Sequence, residues 1–168
     1  MRATAFQIMR ALKEHNFEVF LVGGAVRDLL LNREPGDFDL VTTAPPEVVQ
    51  DIAALNGWQT KETGKAFGVV MVLVNGQPFE VATARTEWYG QDSHRPEGVR
   101  FSESIKEDLS RRDFTINAMA MGLDEAIIDP FGGQKDLAAG LIRAVGSAEE
   151  RLGEDALRSF RAIRFAAQ

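Results

Sequence analysis

Apolar residues recur at near-helical spacing from residue 3 to residue 14, with Phe6, Met9 and Leu12 on one stripe and Ala5 and Ile8 beside it. This predicts an amphipathic helix that stops at Asn16. The next apolar run, FEVFLV, is short and rich in β-formers and predicts a strand. Gly23-Gly24 then makes a turn, AVRDLLLN resumes a helical pattern, and Glu34-Pro35-Gly36 breaks it. DFDLVT alternates in character and predicts a second strand, and Pro45-Pro46 opens a helix through about Leu55. FGVVMVLV and PFEVATAR are two more strand-like runs joined at Asn75-Gly76, a hairpin signal. The order helix, strand, helix, strand, helix, hairpin predicts an α/β (α+β) fold, a mixed sheet flanked by helices.

The pattern is less regular beyond that point. Residues 86–98 are polar, contain Gly and Pro and show no periodicity, which predicts a mobile loop. SIKEDLSRRDFTINAMAMGL mixes helical spacing with paired arginines and acids. IIDPFGGQKDL predicts a short strand, a turn and a helix start. SAEERLGEDALRSFRAIRFAAQ predicts an amphipathic helix without a stop signal, so the natural chain is expected to continue past Gln168.

Composition narrows the classes. The chain has 168 residues, 45% hydrophobic and 26% charged, the range of one domain with a real core. Its formal net charge of -6 argues against a surface coated in basic residues, while leaving room for a local basic patch. The absence of cysteine excludes a disulfide framework and a thiolate zinc site, and fits the cytoplasm. Arg10, Lys13, Glu14 and His15 interrupt the N-terminal apolar residues, and no segment approaches a membrane span, so a soluble protein with no membrane partner is expected. His15 and His94 are far apart, which argues against a histidine metal site.

Two small groups of residues carry candidate chemistry. Asp37 and Asp39, one residue apart in a predicted strand, emerge on the same face, with Phe38 and Leu40 on the other. Adjacent carboxylates repel unless a cation lies between them, and magnesium accepts such oxygens; alone, the pair reads more readily as solvated acids. Gly23 and Gly24 follow a strand and precede a helix, where free backbone N–H groups favour an anion, and Arg27 stands one turn further on. A phosphate cradle beside a metal pair reads as nucleotide chemistry, whereas each alone has a plain structural reading.

Four ordered stretches, LVGGAVRDLLLNREPGDFDLVT, EDLSRRDFTINAMA, DPFGGQKDL and GEDALRSFRAIRFAA, closely resemble the bacterial class II tRNA nucleotidyltransferases (CCA-adding enzymes) and their relatives, the bacterial poly(A) polymerases, over about Phe20 to Ala167. The resemblance implies a polymerase-β-type nucleotidyltransferase head at residues 1–140 and the start of a helical neck at 141–168. It implies addition of CMP and AMP to a tRNA 3′ end from CTP and ATP, with two Mg2+ ions and pyrophosphate as product. Asp37 and Asp39 match the metal pair, and Gly23, Gly24 and Arg27 the triphosphate contacts. Glu80, between Phe79 and Val81, is the expected third catalytic carboxylate.

By the same resemblance Asp113 bonds the ribose, and Arg112 and Asn117, the latter four residues on and expected on the same helical face, lie near the phosphates. Arg111 is left outside the site. Asp129 and Asp136 belong to a hinge, where Asp136 caps or braces a helix. Cytosine and adenine both offer an amino donor beside a ring-nitrogen acceptor, so a carboxylate and an arginine can read either and reject uracil and guanine. Asp155 and Arg158, three apart on the last predicted helix, match that base-reading pair. Arg161 and Arg164 match further nucleotide contacts, with Glu154 secondary. Trp58 is expected in the core, while Trp88 and Tyr89 are open candidates for base stacking. Addition of CC or A alone, a poly(A) polymerase, and a silent nucleotide-binding module remain the alternatives.

Overall fold

The computed structural model describes the backbone of residues 1–64, 68–88, 98–102 and 104–167. Tyr89, His94 and the side chain of Trp88 lie outside the described residues. Helix α1 (Arg2–Glu14) buries the predicted stripe, Phe6, Ile8, Met9 and Leu12. Strand β1 (Val19–Val22) leads through Gly23 into helix α2 (Gly24–Leu30); then come β2 (Leu40–Thr42) and α3 (Pro46–Leu55). β3 (Gln59–Gly64), β4 (Val69–Val74) and β5 (Gln77–Thr83) follow, the last two joined at Asn75-Gly76 as expected.

β6 (Arg85–Trp88) pairs antiparallel with β7 (Gly98–Phe101) as a separate two-stranded ribbon. Of the loop expected at 86–98, residues 86–88 and 98 are instead paired strand, and residues 89–97 lie outside the described residues. Next are α4 (Ile105–Ser110), a 3-10 turn (Thr115–Asn117), β8 (Ala120–Met121), β9 (Ile127–Ile128), α5 (Gly133–Ala138), α6 (Ala148–Glu154) and α7 (Leu157–Ala166).

The main sheet has the order β3-β4-β5-β2-β1-β8-β9, with β2 and β5 parallel and the other neighbours antiparallel. The mixed sheet flanked by helices is thus the expected fold class. Successive residues of the central strands feed opposite faces: Leu21 and Leu40 join the larger apolar cluster with α1 and α3, while Val22 and Val41 join a smaller one with Leu109 of α4. Trp58 packs against the larger cluster.

Three sequence expectations need correction. DFDLVT becomes regular strand only at Leu40, although the Val22 N–H donates to the Asp39 carbonyl at 3.0 Å and carries the pairing one residue back. INAMAM forms no α-helix beyond the 3-10 turn at its start. Thr115 N–H donates to the Arg143 carbonyl at 2.9 Å and Val145 N–H to the Asp113 carbonyl at 3.1 Å, so residues 113–115 run extended against 143–145 and release the chain towards β8. The last helix is two helices. Asp155 is extended (φ -153°, ψ 111°), and its carboxylate accepts the Leu157 N–H at 2.9 Å, local bonding that competes with a continuous helix.

Candidate active site

Phe38, 2% exposed, anchors the segment before β2 in the core and leaves Asp37 and Asp39 facing outward together. Leu40 pairs with Val81 across the parallel β2–β5 register, which sets Glu80 on the neighbouring strand alongside Asp39. The three acids border a cavity of about 290 Å³. Asp37 and Asp39 also border the main cleft, of about 510 Å³, which Glu80 does not reach. Burial first, then Glu80, then Asp37 push the Asp39 carboxyl above its ordinary range, against the pull of the Arg112 guanidinium.

The main cleft gathers the remaining expected residues: Gly23, Gly24, Arg27, Arg112, Asp113, Asn117, Asp155, Arg158, Arg161 and Arg164. Gly23 has φ +69°, and a Cβ there would stand 3.0 Å from Nη1 of Arg112, so the bare backbone is what lets that guanidinium approach. Arg112 Nε is buried without a hydrogen-bond partner among the described residues. Arg27 donates through Nη1 to the Asn117 side-chain oxygen at 2.9 Å and through Nε to Asp28 at 2.9 Å. Asp113 accepts from the Asn117 amide at 3.2 Å and from Arg161 Nε at 2.7 Å. Asp113 and Asn117 thus meet as expected, through the extended segment and the 3-10 turn rather than along one helical face.

Arg158 is held by Glu154 at 2.5 Å, and Arg151 by the same carboxylate oxygen at 2.9 Å. Glu154, given a secondary place by the sequence, is the acid that orients Arg158. Arg111, left outside the site by sequence reasoning, lines the cleft. Its position follows from Asp108, 0% exposed, which accepts from Arg111 Nη2 at 2.7 Å and from Arg112 Nη2 at 3.1 Å. Burial pushes the Asp108 carboxyl up, but Arg112 and Arg111 outweigh it and hold it below its ordinary range. The spacing of EDLSRR, an acid three and four residues before two arginines, carried that signal. Phe165 was also missed; its ring meets Arg27, Arg161 and Arg164, and no spacing rule singles it out.

At the hinge expected from sequence, Asp129 accepts the Gly133 and Gln134 N–H groups at 2.7 and 2.9 Å and so caps α5. Asp136, buried, accepts from the Thr115 hydroxyl at 2.5 Å and pairs with Arg143 at 2.8 Å, a brace rather than a cap.

The sheet and its acidic, arginine-rich cleft define a polymerase-β-type head. Residues 19–143 match the poly A polymerase head domain, and the chain belongs to that family. It is 47% identical over 164 residues to a CCA-adding enzyme of Bacillus licheniformis, covering 98% of this chain and 40% of the relative. Among solved structures it resembles the Bacillus stearothermophilus CCA-adding enzyme in complex with CTP (TM-score 0.87, 44% identity, 98% of this chain and 38% of that one). It also resembles the Thermotoga maritima CCA-adding enzyme complexed with tRNA (TM-score 0.75, 31% identity, 97% and 36%). The chain spans about 40% of the length of the curated relatives it matches.

Proposed function

We propose that this chain carries the catalytic head of a tRNA 3′-end nucleotidyltransferase that adds CMP and AMP from CTP and ATP and releases pyrophosphate. The observation that carries this reading is one cleft joining a carboxylate pair, a Gly-Gly turn and arginines, in a chain 44% identical to an enzyme solved with CTP. Residues 1–140 form the head and 141–168 the start of a neck. The donation of Arg161 to Asp113 and of Arg151 to the Ser110 carbonyl supports a neck seated on that head. The cytoplasm is the compartment we assign; among the described residues no helix is long and apolar enough to cross a membrane.

Magnesium suits the donor set. Asp37 and Asp39 offer hard oxygens on the rim of the cleft, where water and substrate phosphate would complete the shell of such an ion. Bound there, the ions supply charge neutralisation and activation of the primer 3′-hydroxyl. The chain's own groups do the rest. Arg27, Arg112 and the backbone at Gly23-Gly24 grip the triphosphate. Asp113 takes the ribose side, and Asn117, joined to both Asp113 and Arg27, lies near the phosphates. Asp155 and Arg158 read the amino group and ring nitrogen shared by cytosine and adenine. Fixed in this way, the α-phosphorus lies open to in-line attack by the primer 3′-oxygen.

The deciding experiment is primer extension with magnesium on tRNAs that end before CCA, after C and after CC, each offered CTP, ATP or both, with Asp39→Ala as control. Ordered addition stopping at CCA is expected. Growth of long A tails would make the chain a poly(A) polymerase head, and addition of only C or only A a partial-specificity enzyme. Nucleotide binding with no Asp39-dependent extension of any primer would overturn the transferase reading.

A further inference from the structure

Most arginines of the cleft are held by an acid: Arg111 and Arg112 by Asp108, Arg158 by Glu154, Arg161 by Asp113, and Arg27 by Asp28. Arg164 differs. Among the described residues its only recorded partner is the ring of Phe165, whose centroid lies 4.9 Å from its guanidinium carbon. The same ring stands 4.9 Å from Arg27 and 5.6 Å from Arg161, and meets Phe114 edge-on at 5.9 Å. Three cations from α2 and α7 thus share one aromatic surface. The ring's negative π face attracts each guanidinium and offsets their mutual repulsion without consuming a donor.

An acid would also fix Arg164, but it would compete with an incoming phosphate for the N–H groups. An aromatic partner leaves those donors available. Phe165 also forms the wall between the polar cleft and an apolar cavity of about 530 Å³ that includes Leu31, Ile116 and Leu137. The apolar side asks only for a hydrophobic side chain; the arginine side asks for a π surface.

We infer that Phe165 is a positioning residue for the incoming nucleoside triphosphate, presenting Arg164 to it through ring contact rather than through an acid, on the ring that Arg27 also meets. This rests on the reading of the cleft as a triphosphate site. The test is titration calorimetry of CTP and of ATP, with magnesium, into the 168-residue chain and its Phe165→Leu, Phe165→Tyr, Arg164→Gln and Arg164→Gln/Phe165→Leu variants, with melting temperatures alongside.

Phe165→Leu is expected to weaken both nucleotides about 5- to 10-fold, Phe165→Tyr less than about 2-fold, and the double variant by less than the product of the two singles. Phe165→Met replaces the leucine variant if the latter fails to fold. Equal affinity of the aliphatic variant and the wild type, equal weakening by tyrosine and leucine, or full additivity would each overturn the role of the ring. A wild-type chain that bound neither nucleotide would overturn the triphosphate reading beneath it, and the inference with it.

Discussion

Burial in the cleft, the Glu80 carboxylate and then Asp37 hold the Asp39 carboxyl above its ordinary range, with Arg112 opposing them. The native chain therefore binds that proton more tightly than the unfolded chain, and native stability declines as pH rises from the ordinary carboxylate value through the raised one. Asp39→Asn removes this loss. Asp39 is exposed and partly screened by solvent, so in EDTA at neutral pH the variant should melt no more than about 1 °C above the wild type, the gap closing as pH falls towards about 4, while transfer activity is abolished. A variant that melted lower at neutral pH would contradict the strain assigned to the carboxylate. Asp108 has the opposite sign. Its carboxyl is held low by Arg112 and Arg111 against burial, so its contribution is complete above the ordinary carboxylate value and is lost as pH falls through its depressed one. Asp108→Ala leaves two buried-side guanidiniums without their acid and should cost about 3–5 kcal/mol in urea unfolding at neutral pH. A loss below about 1 kcal/mol, the worth of a surface pair, would refute that role.

Helix α5 is set against the 3-10 turn through Gly133, where a Cβ would stand 2.2 Å from the Thr115 carbonyl oxygen and 2.9 Å from Met119 Cγ. Backbone oxygen cannot swing aside as a side chain can, so Gly133→Ala should destabilise the chain by about 1–3 kcal/mol, read as a lower urea midpoint. An unchanged midpoint would mean that α5 shifts freely. Elements of this kind mark the limit of what sequence patterning conveys. α1, α3 and the β4–β5 hairpin were legible because many residues repeat one period over a buried face. β8 and β9 have two residues each, too few to establish any period, and β3 is an edge strand whose QTKETG carries no apolar alternation. The candidate site was readable as residue types at fixed spacing, and the fold brings Asp37, Asp39 and Arg27 to one cleft. The contacts within it were not. Arg158 pairs with Glu154 because the chain breaks at Asp155, and Arg111 joins the cleft because Asp108 is buried beneath it; both depend on turns that have no periodic signature.

Across the molecule, charge is divided unevenly. The chain carries a formal net charge of -6, yet the cleft is lined by Arg27, Arg111, Arg112, Arg158, Arg161 and Arg164 against Asp37, Asp39, Asp113 and Asp155. An acidic body repels polyanions in general, while a concave basic patch concentrates its field where a triphosphate enters. Attraction of that origin is screened by salt, since the Debye length falls from about 10 Å at 0.1 M to about 3 Å at 1 M. CTP affinity, measured by calorimetry at fixed magnesium, should therefore fall several-fold between about 0.1 and about 1 M KCl. The slope should flatten in Arg164→Gln, which removes a cation paired only with a ring among the described residues. The same salt series on Arg158→Gln should flatten less, because the Glu154 carboxylate already balances part of that charge. Equal slopes for the two variants would mean that the cleft acts by its summed charge alone, and that pairing each arginine with an acid or a ring sets its geometry without setting its share of the attraction.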